Sequence, residues 1–183
     1  YNKKTYKVKS NLTGNFNISN ILASILACLK QGLNMAQIIK ALHNFDLIPG
    51  RFESYEKKNG GIVIIDYAHT PDAFEKILST VKDIKSDNKI ITLFGCGGNR
   101  DKEKRPIMAS ISEKFSDKIV VTDDNPRDED CNQIIKDIES GFKNHKHIVC
   151  HDREKAIKVE FKKLCKNQTL LILGKGVEEY QIT

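Results

Sequence analysis

From residue 62 onward the sequence alternates short apolar runs with segments of helical period, and few folds satisfy that alternation. The runs Ile62 to Ile65, Ile90 to Phe94, Ile119 to Thr122, Ile148 to Cys150 and Leu170 to Leu173 read as strands. Between them, residues 71 to 85, 105 to 116, 131 to 142 and 153 to 166 read as helices. The period is clearest at Phe74, Ile77, Leu78, Val81 and Ile84, with Thr70 as cap and Pro71 in the first turn, where its missing N–H costs nothing. Strands this continuously apolar, separated by helices, predict an α/β fold: a mostly parallel, Rossmann-like sheet with helices on both faces. In such sheets ligands bind beyond the carboxyl ends of the strands. Those ends fall at residues 66 to 71, 95 to 105, 123 to 130, about 151 to 153, and 174 to 181.

The first 48 residues follow a different pattern. Ile18, Ile21, Leu22, Ile25, Leu26 and Leu29 have helical spacing over residues 17 to 31, and Gly32 is a natural stop. A second helix carries Met35, Ile38, Ile39 and Leu42, with Asn34 as N-cap and Pro49-Gly50 closing it. The change of pattern predicts a domain boundary near residue 48, giving units 1–48 and 49–183.

Composition removes several classes of function. No apolar stretch approaches the ~20 residues of a membrane span, and no signal peptide is present, so a cytoplasmic protein is expected. The first residue is Tyr1, which suits a piece of something longer. Five scattered cysteines with no Cys-x-x-Cys pair predict neither a disulfide framework nor a zinc knuckle. The net charge of +6 is spread among acidic residues with no dense basic block, so no nucleic-acid partner is expected. His145, His147, Cys150 and His151 are loosely clustered, but a short strand between them turns their side chains different ways, and no metal site is expected. Against 25 lysines there are only five arginines, and Arg51, Arg100, Arg105 and Arg127 fall in loops, where a planar fork for carboxylate or phosphate is useful.

Four strand-end loops carry the unusual chemistry. In Asp66-Tyr-Ala-His-Thr-Pro-Asp, a carboxylate suits ribose hydroxyls and two rings suit a flat base; equally, Asp66 and Thr70 suit helix capping. In Phe94-Gly-Cys-Gly-Gly-Asn-Arg-Asp-Lys-Glu-Lys-Arg-Pro, glycines let backbone amides approach an anion, or simply make a turn; Arg100 replaces the third glycine of a dinucleotide fingerprint. Asp123-Asp-Asn-Pro-Arg-Asp-Glu-Asp combines acids, an amide and a guanidinium, a set that clasps a ligand bearing both ammonium and carboxylate, as an amino acid does. Gly174-Lys-Gly-Val-Glu-Glu-Tyr-Gln has a phosphate-loop look without Walker spacing, and no Walker A sequence occurs in the chain.

Taken together and in order, Gly14-Asn-Phe-Asn-Ile-Ser-Asn, Pro49-Gly-Arg-Phe-Glu, Asp66-Tyr-Ala-His-Thr-Pro-Asp, Phe94-Gly-Cys-Gly-Gly-Asn-Arg-Asp-Lys, Lys104-Arg-Pro, Asp123-Asp-Asn-Pro-Arg, Gly174-Lys-Gly and Glu179-Tyr-Gln resemble the Mur ligases, most closely the MurE type. The resemblance runs from about residue 12 to 181. It implies the helical tail of a central ATPase domain over 1–48, followed by most of a C-terminal domain. It further implies ATP with magnesium, whose ligands lie outside this chain, and two other substrates, UDP-N-acetylmuramoyl-dipeptide and meso-diaminopimelate.

By the same resemblance Asn17 and Asn20 approach adenine, Arg51 the phosphates and Asp66 the ribose, with Tyr67 and His69 nearby. Arg100, Asp124, Asn125, Pro126, Arg127, Gly174 and Glu178 hold the incoming amino acid. No catalytic side chain of this chain is implied. Val177 and Asn99 depart from the family's His and Asp, and the family has a further helical segment after Gln181. The phosphate-binding loop, the modified lysine and the UDP-binding domain of the family are not in this sequence, so the chain alone is expected not to turn over. The alternative readings are a non-catalytic ligase-like binding module, or a lysine-adding or folylpolyglutamate-type ligase.

Overall fold

The computed structural model describes every residue except Asn2, Asp46, Lys85, His145, Lys146 and Thr183. Two compact units result, Tyr1–Ile48 and Pro49–Thr183.

In the first unit, α1 (Phe16–Lys30) and α2 (Met35–His43) enclose Ile25, Met35 and Ile38, with Ile21, Leu29 and Leu42 packed around them. Gly32, at φ +89°, lets the Gly32 and Leu33 amides turn back to the Leu29 and Cys28 carbonyls and ends α1. Asn34 and Gln37 form a reciprocal capping box on α2. That helix stops at His43 with Asn44 as its cap, so Pro49-Gly50 does not close it. Half of the apolar positions of α1 do not face this small core: Ile18, Leu22 and Leu26 are exposed.

The second unit is built on one six-stranded sheet. Its strands are β1 (Glu53–Glu56), β2 (Ile62–Asp66), β3 (Lys89–Phe94), β4 (Lys118–Val121), β5 (His147–Val149) and β6 (Gln168–Leu173). Their order is β1-β2-β6-β3-β4-β5, antiparallel only where β1 meets β2. The polar Glu-Ser-Tyr-Glu of β1 carries no apolar signal in the sequence, because an edge strand needs only backbone pairing on one side. The helices are α3 (Pro71–Ile84), α4 (Lys104–Phe115), α5 (Cys131–Glu139) and α6 (Arg153–Lys163).

Alternate residues of the strands serve opposite faces. Val63, Ile91, Leu93, Val120 and Leu170 form one core with Ala156 and Leu164, at and just beyond α6. The other face holds the edge-on ring pair of Phe74 and Phe94, 5.2 Å apart, beneath α3, which packs on α4 as α4 does on α5. The chain steps outward from β3 to β5 with helices on one face. It then returns on the other face through α6 to place β6 between β2 and β3. This is what right-handed crossovers require of a path that reverses direction.

The α5 helix ends earlier than its apolar period, because Gly141 lies against Pro106; a Cβ at Gly141 would sit 2.0 Å from the Pro106 carbonyl oxygen. Arg105 also departs from the sequence reading. It is no loop arginine but belongs to the first turn of α4, fully buried. Its Nη1 donates to Glu129 at 3.0 Å and to Asp137 at 2.7 Å, and its Nη2 donates to the Gly97 carbonyl at 3.1 Å. These bonds join α4, α5, the glycine loop and the loop after β4.

Arg105→Met leaves two carboxylates facing a buried apolar group and is expected to cost about 3 kcal/mol in urea denaturation. The hydrogen bond from Arg105, with a further one from the Asn99 amide, holds the Glu129 carboxyl down to about 2, against an ordinary 4.5. A depressed carboxylate contributes stability above its unfolded pKa and loses it as pH falls through the folded one. The urea midpoint should therefore fall between about pH 5 and pH 2, and less steeply in Glu129→Gln.

Candidate functional site

A cleft of roughly 370 Å³ opens at the carboxyl ends of β2, β3, β4 and β6. Its walls are the loops that follow those strands, and their closeness is a property of backbone. Gly95 and Gly98 lie where a Cβ would come 2.1 Å from the Thr122 carbonyl oxygen and 1.8 Å from that of Pro126. The Gly98 amide donates to the Asn125 carbonyl at 2.8 Å. These two glycines thus serve the approach of a neighbouring loop, a use different from the anion cradle read in the sequence.

Of the residues assigned to the amino acid, Arg100, Asp124, Asn125, Arg127, Gly174 and Glu178 all line this cleft. Pro126 does not; its carbonyl is the surface on which Gly98 rests. Arg127 adopts a left-handed φ of 53° and donates through Nη1 to the Gly98 and Asn125 carbonyls at 2.9 and 3.2 Å, which anchors the guanidinium in the cleft wall. Asn99 has the same left-handed φ, a conformation Asn tolerates, and its side-chain amide donates to Asp128 at 2.7 Å. A carboxylate at that position would face Asp128, so the Asn suits this loop. Val177 is exposed and is not part of the cleft lining.

The acidic end of the cleft is a tight network. Glu178 accepts from the Tyr67 hydroxyl at 3.1 Å, from Asn125 Nδ2 at 3.2 Å and from Lys175 Nζ at 3.1 Å. Burial alone would raise its pKa, but the hydrogen bond and charge of Lys175, with the bonds from Asn125 and Tyr67, hold it below the ordinary carboxylate value. Lys175 is buried and also donates to Asn125 Oδ1 at 2.9 Å, with Asp124 Oδ1 at 3.9 Å. Arg153, buried at the start of α6, donates to the Leu173 carbonyl at 2.9 Å. Its pKa is lowered by burial against the opposing charges of Asp124 and Glu178. The segment after this loop is tied down on the loop after β4. Gln181 Nε2 donates to the Asp124 carbonyl at 2.6 Å, and the Ile182 amide donates to Asn125 Oδ1 at 2.8 Å. Cys96 lines the cleft but is inert, because burial pushes its thiol up to about 12.

The residues assigned to the nucleotide divide. Tyr67 and His69 line the same cleft, their rings edge to face at 4.9 Å, and the Arg51 guanidinium lies over the Tyr67 ring at 5.1 Å. Asp66 is buried, and its two oxygens accept from the Phe52 and Ala68 amides, both at 2.7 Å. Burial raises its pKa against the pull of those amides and of Arg51. The carboxylate therefore shapes the loop. Thr70 accepts from the Ala73 amide at 3.3 Å, a capping bond of α3. Asn17 and Asn20 sit on α1 of the first unit, where Asn17 donates to the Thr13 carbonyl and Asn20 to Asn17 Oδ1.

Of the loose histidine cluster, His145 lies outside the described residues. His147 stacks on Phe142 and bonds Glu139, and His151 bonds Asp123. Among the described residues no group of three His, Cys, Asp or Glu side chains is placed to hold a metal, and all five cysteines are free. Among them, too, no helix is long and apolar enough to cross a membrane.

Sequence reasoning passed over two residues here. Lys104, which lines the cleft and donates to the His69 carbonyl at 2.9 Å, was visible only as part of Lys-Arg-Pro. Lys175 stood in Gly-Lys-Gly, whose phosphate-loop look lacked Walker spacing, and was given no role; it follows the buried strand β6 and turns into the wall.

Comparison with known proteins agrees with this architecture. The family model described as "Mur ligase, glutamate ligase domain" matches residues 50–176. The chain is 45% identical over 183 residues to the UDP-N-acetylmuramoyl-L-alanyl-D-glutamate--2,6-diaminopimelate ligase of Fusobacterium nucleatum, covering all of this chain and 38% of that protein. It is 42% identical over 177 residues to the ligase of the same name from Geobacillus kaustophilus, covering 96% of this chain and 36% of the relative. The chain thus spans little more than a third of these relatives. A solved structure of a UDP-N-acetylmuramoyl-L-alanyl-D-glutamate--2,6-diaminopimelate ligase superimposes with a TM-score of 0.70 at 35% identity, over 97% of this chain and 36% of that one. A pseudomurein peptide ligase type C from Methanothermus fervidus gives 0.74 at 25% identity, over 95% and 36%. With the family model matched over most of the chain, and with a mostly parallel sheet whose strand-end loops close on one bipolar cleft, this chain belongs to the Mur ligase family.

Proposed function

We propose that this chain is the amino-acid-selecting part of an ATP-dependent ligase that joins meso-diaminopimelate to UDP-N-acetylmuramoyl-L-alanyl-D-glutamate in peptidoglycan synthesis, within a cytoplasmic enzyme. The observation that carries the reading is the polarity of the cleft. Asp124 and Glu178 share its lining with Arg100 and Arg127, an arrangement for a ligand that presents an ammonium and carboxylates together. The names of the relatives support the choice of amino acid and acceptor. In this reading residues 1–48 end a central domain and residues 49–183 form the C-terminal one.

The reaction is acyl activation. ATP, which arrives with magnesium held by residues outside this chain, phosphorylates the terminal carboxylate of the UDP-linked dipeptide. The diaminopimelate amine attacks the acyl carbon, the tetrahedral intermediate expels phosphate, and the nitrogen loses a proton as the amide forms. The contribution of this chain is orientation, which converts the attack into an intramolecular event. Asp124 and Glu178 hold an ammonium, with Asn125 bracing Glu178, Arg127 and Arg100 hold a carboxylate, and Gly174, at φ +106° beside Asp124, leaves room for the backbone-sized group between them. Pro126 sets the turn that presents Arg127. The guanidiniums select diaminopimelate over lysine because only the former brings a second carboxylate. Arg51, Tyr67 and His69 face the nucleotide, Asp66 holds the turn that carries Arg51, and Asn17 and Asn20 address adenine.

Calorimetric titration of meso-diaminopimelate and L-lysine into the full-length protein tests this. Diaminopimelate should bind more tightly than lysine, and Arg127→Ala should weaken it by roughly 30-fold or more, the cost of removing a desolvated charge partner. Equal binding of both amino acids, or normal binding by the variant, would sink the assignment.

A further inference from the structure

Lys175 is absent from the lining of the cleft, yet the three polar side chains its ammonium meets all belong to it. Its side chain is 10% exposed, and Nζ lies 2.9 Å from Asn125 Oδ1, 3.1 Å from Glu178 Oε2 and 3.9 Å from Asp124 Oδ1, with the Tyr180 ring centroid at 5.7 Å. The three polar contacts all lie inside the wall. We propose that Lys175 is a positioning residue for the amino-acid substrate: it fixes the orientation of Asn125 and offsets the charge of Glu178, without touching the ligand. This rests on the reading of the cleft as the diaminopimelate site.

The orientation argument comes from donor and acceptor counting. Asn125 Oδ1 receives the Lys175 ammonium and the Ile182 amide, while Nδ2 donates to Glu178 Oε2. A flipped amide would set its NH2 against an ammonium and an N–H, and its oxygen against a carboxylate, so Lys175 leaves Asn125 one orientation. The charge argument follows from the same distances. Asp124 and Glu178 together carry two negative charges, and a zwitterionic amino-acid end brings one ammonium. Lys175, with the buried Arg153 behind the pair, offsets that surplus of negative charge. Without Lys175, the carboxylates repel each other, and Asn125 alone with Tyr67 must hold Glu178.

Removing the lysine charge also changes how Glu178 titrates. The groups facing Glu178 are Lys175 on its own loop, Tyr67 after β2, Asn125 and Asp124 after β4, and Arg153 at the start of α6. Of these, Lys175 is the cation in hydrogen-bond contact. Its loss lets burial draw the carboxyl upward, so the ammonium partner is lost at a higher pH than in the native protein.

The test uses the full-length ligase with its three substrates. Lys175→Met should raise the KM for diaminopimelate by roughly tenfold or more, the scale of leaving Asn125 and Glu178 without the buried donor that sets them. The KM for ATP and kcat at saturating amino acid should stay within about threefold, since a residue acting only on amino-acid binding leaves the chemical step alone. The acid limb of kcat/KM for diaminopimelate should move to higher pH. Lys175→Gln, which keeps a donor but not the charge, should shift the acid limb the same way, and it decides the matter if the Met variant does not fold. An unchanged amino-acid KM with an unmoved acid limb overturns the proposal, as does an equal loss in every kinetic constant. Failure of the native enzyme to prefer diaminopimelate would instead strike the reading of the cleft.

Discussion

The structure depends on how closely two backbones meet. Gly95 and Gly98 allow the loop after β3 to press on the carbonyls of Thr122 and Pro126 at distances no side chain permits. From that contact follow the positions of Arg100 on one loop and of Asp124, Asn125 and Arg127 on the other. Arg105 then fastens the pair from beneath, through Glu129, Asp137 and the Gly97 carbonyl. The left-handed turns at Asn99 and Arg127 are stabilised within this frame, since both residues bond across it.

Glu178 is where the separate loops become one site. It is reached by Tyr67 after β2, by Asn125 after β4 and by Lys175 on its own loop. The Arg51 guanidinium over the Tyr67 ring extends the chain of contacts toward the residues read as nucleotide-facing. The two halves of the cleft therefore share one hydroxyl, and a shift of the β2 loop is felt by the carboxylate proposed to meet the amino acid.

What was legible in the sequence was what repeats. Apolar runs at strand length and the 3.6-residue period located five strands and the helices between them, because the central strands are buried and mostly apolar on both faces. Four of those strand ends line the cleft, and the fifth, at about 151 to 153, does not. Illegible were features set by tertiary packing: β1, whose residues are polar because one face and one edge are open, and the early end of α5, forced by Pro106 against Gly141. The residue types of the cleft were recognisable, but their partners were not. Asp66 read equally as a ribose ligand and as a cap, and its oxygens accept from two amides; Arg105 was counted among the loop arginines and is buried in the first turn of α4. Such reassignments depend on which neighbour satisfies a polar group, a fact held in three dimensions.

The place of β6 has a consequence for how the molecule assembles. It follows the other five strands in sequence yet lies in the middle of the sheet, bonded to β2 on one side and β3 on the other. During synthesis the earlier strands emerge with a gap between β2 and β3. Only when residues 168–173 leave the ribosome is the gap filled and the register of both halves set. The loop that follows β6 then delivers Lys175, Glu178 and Gln181 to a cleft that until then had only Asp101 and Asp124 as acids, so closure of the hydrophobic sheet and completion of the site are one vectorial event.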